Sequence, residues 1–143
     1  MARVQKTVSV NAPVEKVFSY ISDPTNLPEI WPSLIEVSDV KSLPSGGHSN
    51  RWVYKMAGMR FEGTSEDTER VPNERVVSKT EGGVKSTQTW SLQPEAGGTK
   101  VTLTVDYTVP IPVLGKLAEV IIVKMNDHEG DLLMANLKTR MEA

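Results

Sequence analysis

Apolar and polar residues alternate along the first ten positions and then change to a helical spacing. Positions 4–10 alternate with a period of two, which is typical of a half-buried strand. Asn11 is a favourable helix N-cap, and Pro13 falls near the first turn, where its missing N–H costs nothing. One face of the predicted helix carries Val14, Val17, Phe18 and Ile21. The helix should end at Asp23-Pro24, because the residue before a proline is disfavoured in the helical conformation.

From position 34 to position 109 the pattern is one of strands and short turns, and its clearest hairpin covers positions 51–66. A two-residue type II′ turn at Gly58-Met59 predicts that Met56 faces Phe61 across the hairpin. One face then collects Trp52, Tyr54, Met56 and Phe61. The other face gains two pairs of opposite charge, and the agreement of both faces supports this register.

A second hairpin is predicted to turn at positions 81–83. A three-residue loop there places Val76, Ser78 and Thr80 opposite Gln88, Ser86 and Val84, with Trp90 and Leu92 continuing the same face. The last strand, at positions 100–109, points Val101, Leu103, Val105 and Tyr107 inward. Consecutive strands with short turns indicate an antiparallel meander with one face that needs covering.

The cover is a helical pattern from about position 112 to position 142. At about 100° per residue, one stripe contains Leu114, Leu117, Ala118, Ile121, Met125, His128 and Leu132. We therefore expect this stripe to lie on the sheet. His128 would then point inward, either as a core histidine bonded to a strand hydroxyl or as a general acid or base in a cavity.

Several short motifs accompany this order of elements. They are Asn-Ala-Pro-x-x-x-Val-Phe at 11–18, Trp31-Pro32, Gly98-Thr99 before the last strand, and Asn136-Leu137-Lys138 near the end. Together they resemble the START-like superfamily, which includes polyketide cyclases, lipid-transfer domains and pathogenesis-related allergens. The resemblance covers essentially the whole chain.

The resemblance implies a single START-like domain over 1–143, of the α+β class with the helix-grip fold. In that fold the chain forms a strand, two short helices, six strands and a long C-terminal helix. The strands build a curved antiparallel sheet around the long helix, with a ligand cavity between them. The fold alone does not define a function, because the superfamily hosts carriers, sensors, cyclases and chaperone-like proteins.

Composition narrows the chemistry. A net charge of −2 in 143 residues argues against a nucleic-acid partner, since phosphate binding needs concentrated Lys and Arg. The chain has no Cys and only two His, at unpaired spacing, so we expect no disulfide, metal site or cofactor. The first residues lack the apolar core of a signal peptide, and no stretch approaches the about 20 apolar residues of a membrane span. We therefore expect a cytoplasmic protein without an integral membrane segment.

Large apolar side chains and a few polar groups share the predicted inner face, which is the composition of a small-molecule pocket. A filled core is the alternative, but such a core would leave the inner-face polar groups without partners. We predict a ligand cavity lined by Trp52, Tyr54, Met56, Phe61, Ser65, Ser78, Gln88, Trp90, Tyr107, Ile121, Met125 and His128.

An entrance to this cavity is predicted from strand parity. The turns at 57–60 and 81–83 should lie at the same end of the sheet as positions 110–112. Met59, Ile111 and Leu114 would give this end an apolar rim, so we expect the portal there.

Three functions fit these expectations. The favoured one is binding of a hydrophobic or aromatic small molecule (lipid, polyketide or quinone-like) as carrier or sensor, which needs no catalytic residue. A polyketide cyclase/dehydratase-type enzyme is the alternative, with His128, Tyr54 and Gln88 as its only candidate groups. The third is an interaction protein or quinone-binding chaperone. Its contact surface, which would also suit a homodimer, would use apolar helix residues beyond the buried stripe: Ile111, Val113, Val120, Ile122 and Val123.

Overall fold

The computed structural model describes residues 2–109 and 116–143. Its strands are β1 (Ala2–Val10), β2 (Leu34–Ser42), β3 (His48–Met56), β4 (Met59–Val71), β5 (Arg75–Gly82), β6 (Ser86–Glu95) and β7 (Gly98–Tyr107). Its helices are α1 (Val14–Ile21), a 3-10 helix (Pro24–Glu29) and α2 (Lys116–Met141). The predicted order of strand, two short helices, six strands and long helix is confirmed.

The strands form one curved seven-stranded sheet in the order β1-β7-β6-β5-β4-β3-β2. Every neighbouring pair is antiparallel, so β2 to β7 is the predicted meander. β1 returns to pair with β7 along its full length, from Ala2↔Tyr107 to Val10↔Thr99. The helix-grip architecture follows, with α2 packed against β1.

The register predicted for the β3–β4 hairpin was wrong by two residues. The turn is formed by Ala57 and Gly58, whose φ values of 51° and 77° are those of a type I′ turn. Met56 therefore pairs with Met59, and Tyr54 pairs with Phe61. Because side chains alternate with a period of two, a shift of two residues kept every side chain on its predicted face.

The β5–β6 register was also wrong by two residues. Thr80 pairs with Ser86 rather than with Val84, so the loop is longer than predicted. Its extra length is tied to the neighbouring strand, since the Gly83 N–H donates to the Glu62 carbonyl at 2.8 Å. Thr80 Oγ1 closes the loop by donating to the Val84 carbonyl at 2.9 Å.

The N-cap of α1 differs from the expectation too. Pro13 occupies the cap position without a side-chain bond, and α1 ends before Ser22 as predicted from Asp23-Pro24. The Asn11 N–H instead donates to Glu142 Oε2 at 2.8 Å. The end of β1 is therefore bonded to the C-terminus of α2 rather than to α1.

The core lies between the inner face of the sheet, α1 and the last turns of α2. The inward orientation predicted for β7 is confirmed, since Val101, Leu103, Val105 and Tyr107 are all buried. α2 contributes its buried residues from its second half: Gly130, Leu133, Met134, Leu137 and Met141.

The stripe of α2 predicted to face the sheet was wrong. Leu117 is 75% exposed, and Ile121, Met125, His128 and Leu132 are also exposed. The prediction took its phase from the apolar first half of the helix, whereas the second half packs on the sheet. Neighbouring residues differ by about 100° around a helix, so the inward Leu133 lies well away from the exposed Leu132. Gly130 allows the close approach, because a Cβ there would lie 2.8 Å from Val4 Cγ1.

Candidate functional site

A cavity of about 100 Å³ lies between the inner face of the sheet and α2. Its apolar wall includes Val4, Leu27, Leu34, Leu103, Val105 and Leu133. Its aromatic residues are Trp31, Trp52, Tyr54 and Tyr107. The polar residues on the wall are Asn50, Ser65, Thr80, Ser86, Gln88 and Asn126. The wall is therefore predominantly apolar with a minority of uncharged polar groups, as in small-molecule sites.

Five of the polar or hydroxyl-bearing residues form one row across the sheet. The register pairs Asn50 with Ser65, Ser65 with Thr80, Thr80 with Ser86, and Ser86 with Tyr107. This polar row runs from β3 to β7 perpendicular to the strands. Inside the row, Thr80 Oγ1 and Ser86 Oγ are 2.6 Å apart. At its β7 end, Asn126 Nδ2 donates to the Tyr107 hydroxyl at 2.9 Å, which connects the row to α2.

Trp52 lies beside the polar row on β3, over a residue without a side chain. It pairs with Gly63 of β4, where a Cβ would lie 2.4 Å from Trp52 Cζ2. The absence of a side chain at Gly63 therefore makes room for the indole. Trp52 is 6% exposed, and its Nε1 is buried with no hydrogen-bond partner among residues 2–109 and 116–143.

A hydrogen-bonded cluster borders the cavity beside Trp31 and Tyr54. Glu129 of α2 accepts from the Ser33 backbone N–H at 2.9 Å and from the Ser33 hydroxyl. The Tyr54 hydroxyl donates to Glu129 Oε1 at 3.5 Å and accepts from Trp31 Nε1 at 3.2 Å. The rings of Trp31 and Tyr54 meet edge to face, with centroids 6.2 Å apart. This cluster fixes the chain around Ser33 to both the helix and the sheet.

Both tyrosines on the wall are held as neutral phenols. Burial raises the pKa of Tyr54, and the negative charge of Glu129 raises it further. Burial also raises the pKa of Tyr107, against the opposing effect of the hydrogen bond from Asn126. Neither phenol can act as a base near neutral pH.

Half of the predicted cavity residues line the wall: Trp52, Tyr54, Met56, Ser65, Gln88 and Tyr107. Phe61 packs half-buried against the core, and Trp90 is buried in it beside Val76. Ser78 instead donates from Oγ to Asp67 Oδ1 at 2.6 Å. These three residues share the predicted face but lie away from the cavity.

The three α2 residues predicted for the cavity do not reach it. Ile121, Met125 and His128 are exposed on the side of the helix away from the sheet. The structure therefore does not bring His128 together with Tyr54 and Gln88. The inward position expected for His128, whether as a core histidine or as an acid or base in a cavity, was wrong. The residue of α2 that reaches the polar row is Asn126.

Sequence reasoning missed Asn50, Asn126 and Glu129. The alternation of the strand was enough to predict that Asn50 faces inward, because Asn50 lies at the same parity as Trp52 and Tyr54. Asn126 precedes Gly130 and Leu133 at helical spacing, so a phase taken from Gly130 would have found it. The sequence carried no signal for Glu129, whose partner Ser33 is 96 residues away.

The predicted portal is only partly described. Met59 is 47% exposed and follows the turn between β3 and β4. Ile111 and Leu114 lie outside the described residues. The entrance between these segments stays a prediction.

Two other features bear on the site. Within residues 2–109 and 116–143, no three His, Asp or Glu side chains converge as metal ligands would. In the same part of the chain, no helix combines the length and apolarity that crossing a bilayer requires.

Solved structures share this fold over nearly the whole chain. A protein of Thermus thermophilus is 27% identical with a TM-score of 0.75, over 97% of this chain and 96% of that one. A START superfamily protein of Mycobacterium smegmatis is 21% identical with a TM-score of 0.82, over 99% and 98% of the two chains. The Zhui aromatase/cyclase of Streptomyces sp. R1128 is 18% identical with a TM-score of 0.74, over 99% and 96%.

No curated protein matches the sequence. At the level of sequence families, residues 1–142 match the family described as polyketide cyclase/dehydrase and lipid transport. The match covers every element that builds the cavity, from β1 to α2. The chain therefore belongs to the polyketide cyclase/dehydrase and lipid transport family.

Proposed function

We propose that this protein binds an uncharged hydrophobic or aromatic small molecule in the cavity between the sheet and α2, as a carrier or sensor. The observation that carries the proposal is the wall itself, where aromatic and aliphatic side chains surround a short series of uncharged polar groups. Such walls bury apolar ligand surface and orient the ligand through a few hydrogen bonds. The family supports a hydrophobic ligand in general terms.

Binding is favoured over catalysis because the wall offers little acid–base chemistry. The polyketide cyclase/dehydratase alternative needs a group that can move a proton near neutral pH. His128, its best candidate from sequence, is exposed. Tyr54 and Tyr107 remain protonated, since burial raises the pKa of each. We therefore assign no catalytic residue.

The interaction function expected from the apolar helix also stays a proposal. Leu117, Val120, Ile121 and Met125 are exposed on the first turns of α2 and could serve a homodimer. Of the other residues expected for a partner, Ile122 and Val123 are half-buried and less suited to one. Ile111 and Val113 lie outside the described residues. Concentration-dependent association by analytical ultracentrifugation, lost on changing Ile121 to Gln, would support this second use.

The experiment for the ligand is native mass spectrometry of protein purified under mild conditions, followed by solvent extraction. We expect an excess mass that is released on denaturation. Ser65→Leu fills part of the cavity and should abolish the excess mass. Ser91→Leu is the matched control. Trp90 is buried on the inner face, so the next residue of the strand, Ser91, lies on the outer face of the sheet, away from the cavity. Equal retention of the ligand by both variants would contradict the proposed site.

A further inference from the structure

The polar row gives the cavity two chemically different sides. Asn50, Ser65, Thr80, Ser86 and Tyr107 follow one another on five neighbouring strands, and all five line the cavity. Neighbouring strands lie about 4.8 Å apart. The Cα atoms of Ser65 and Tyr107, three strands apart, are therefore separated by about 14 Å. Hydrogen-bonding groups thus occupy a line rather than a point.

The hydroxyl groups in the middle of the row are hydrogen-bonded within the protein, whereas the groups at its ends keep free hydrogen-bonding capacity. Thr80 is bonded to Ser86 and to the Val84 carbonyl. At one end, Tyr107 accepts a hydrogen bond from Asn126, so its own proton remains for another acceptor. At the other end, the Ser65 hydroxyl and the Asn50 amide face the cavity and bond to no other side chain within residues 2–109 and 116–143. Polar groups placed in this way require water or a ligand as partner.

The rest of the wall restricts what that partner can be. None of the described residues that line the cavity carries a charge. A carboxylate or phosphate bound there would be buried without a counter-charge, which is strongly unfavourable. A plain acyl chain would place methylene groups against the row and leave its ends without partners. Both considerations disfavour fatty acids.

We propose that the cavity selects an elongated, uncharged molecule that carries hydroxyl or carbonyl oxygens along one edge. Ser65, next to Asn50 at one end of the polar row, and Tyr107, at the other end, bind these oxygens. This inference rests on the proposed function and specifies its ligand class. Ser65 and Tyr107 are the specificity-determining residues. Their hydroxyl groups distinguish an oxygenated ligand from a hydrocarbon of the same shape.

The test compares two probes of one shape, 4,4′-dihydroxybiphenyl and biphenyl, by equilibrium dialysis. Ser65→Ala and Tyr107→Phe each remove one hydroxyl group. Each should weaken binding of the dihydroxy probe by about 2- to 10-fold, the loss that one hydrogen bond causes. Binding of biphenyl should stay unchanged in both variants. Dodecanoate should fail to displace the dihydroxy probe from the unaltered protein.

Matched controls remove the same atoms elsewhere. Ser91→Ala changes a serine on the outer face of β6, and Tyr20→Phe changes a tyrosine whose hydroxyl bonds to Glu29 at 2.7 Å. Neither should change the affinity for either probe. Thermal unfolding of each variant establishes that it is folded before its binding is measured.

The outcomes separate the inference from the proposed function. If both variants lose affinity for the two probes alike, or if dodecanoate displaces the dihydroxy probe, the inference about the ligand class is wrong and the binding function stands. If the unaltered protein binds neither probe, the binding function fails, and the inference fails with it.

Discussion

Replacing Gly130 by alanine sets two effects of known size against each other. Alanine is favoured over glycine inside a helix by about 1 kcal/mol, so the change should stabilise α2 taken alone. In the folded protein, however, the added Cβ would lie 2.8 Å from Val4 Cγ1 and 3.1 Å from Lys6 Cγ. Carbon atoms in contact are normally about 3.5–4.0 Å apart. The helix would therefore have to move away from β1 by several tenths of an ångström or more.

Both neighbours would have to shift to make room for the added Cβ. Val4 is buried, and its methyl group is part of the cavity wall. Lys6 is held across the helix by ion pairs from Nζ to Asp127 at 2.9 Å and to Asp131 at 3.1 Å. Overpacking of this kind costs about 1–3 kcal/mol. After subtracting the helical gain, we expect Gly130→Ala to lower the free energy of unfolding by about 1 kcal/mol, or Tm by about 4 °C.

Urea unfolding followed by circular dichroism measures this difference. Ala135→Gly is the control for helix propensity, because Ala135 is exposed in the same helix, and it should cost about 1 kcal/mol. Val4→Ala removes the methyl groups in the way, so its cost should be smaller in the Gly130→Ala background. If Gly130→Ala instead stabilises the protein by about 1 kcal/mol, the close contact between α2 and β1 is not real.

Two further predictions concern the buried hydroxyl and carboxylate groups. All three tyrosines have a raised pKa in the folded protein, and burial is the first cause in each. The folded state therefore favours the neutral phenols. The free energy of unfolding should keep its full value below the unfolded tyrosine pKa of about 10 and should fall as the pH rises above it. Tyrosinate absorbance and circular dichroism should change together in an alkaline titration, and ionisation of all three near pH 10 in an intact fold would refute this. Glu129→Ala removes the acceptor of the Ser33 N–H and should lower the free energy of unfolding in urea by about 1–3 kcal/mol. Glu129→Gln keeps an acceptor oxygen and should lower it less. Equal decreases in the two variants would contradict the role of this hydrogen bond.

The two faces of the sheet could be predicted because the face of a strand residue depends only on parity. Both hairpin registers were wrong by two residues, yet Trp52, Tyr54 and Tyr107 lay on the correct face, since a shift of two preserves the face. The error came from the turns. A type I′ turn at Ala57-Gly58 needs positive φ at an alanine, which the sequence does not favour.

The helix could not be placed in the same way. Its first half is apolar on more than one side, so periodicity alone gives no unique phase. The contact between Gly130 and Val4 sets the rotation of α2 about its axis. These residues are 126 positions apart, and no pattern in the sequence links them. Errors at Ile121, Met125 and His128 all follow from this one phase. Trp90 and Ser78 show a different limit, because parity gives the face but not the distance from the cavity along the strand.

The arrangement of the outermost strands has a consequence for aggregation. The sheet order leaves β1 and β2 at its two edges, where unpaired backbone groups can recruit another chain. β1 is covered on one face by α2, and β2 is interrupted by register shifts between Leu34 and Glu36 and between Ser38 and Lys41. Asp39, inside the second irregularity, has a φ of 50°, so the edge is not a straight template. Together with the charges of Glu36 and Lys41, this geometry disfavours pairing of β2 with a strand of another chain. The sheet that forms the cavity can therefore have an open edge at β2 without promoting aggregation.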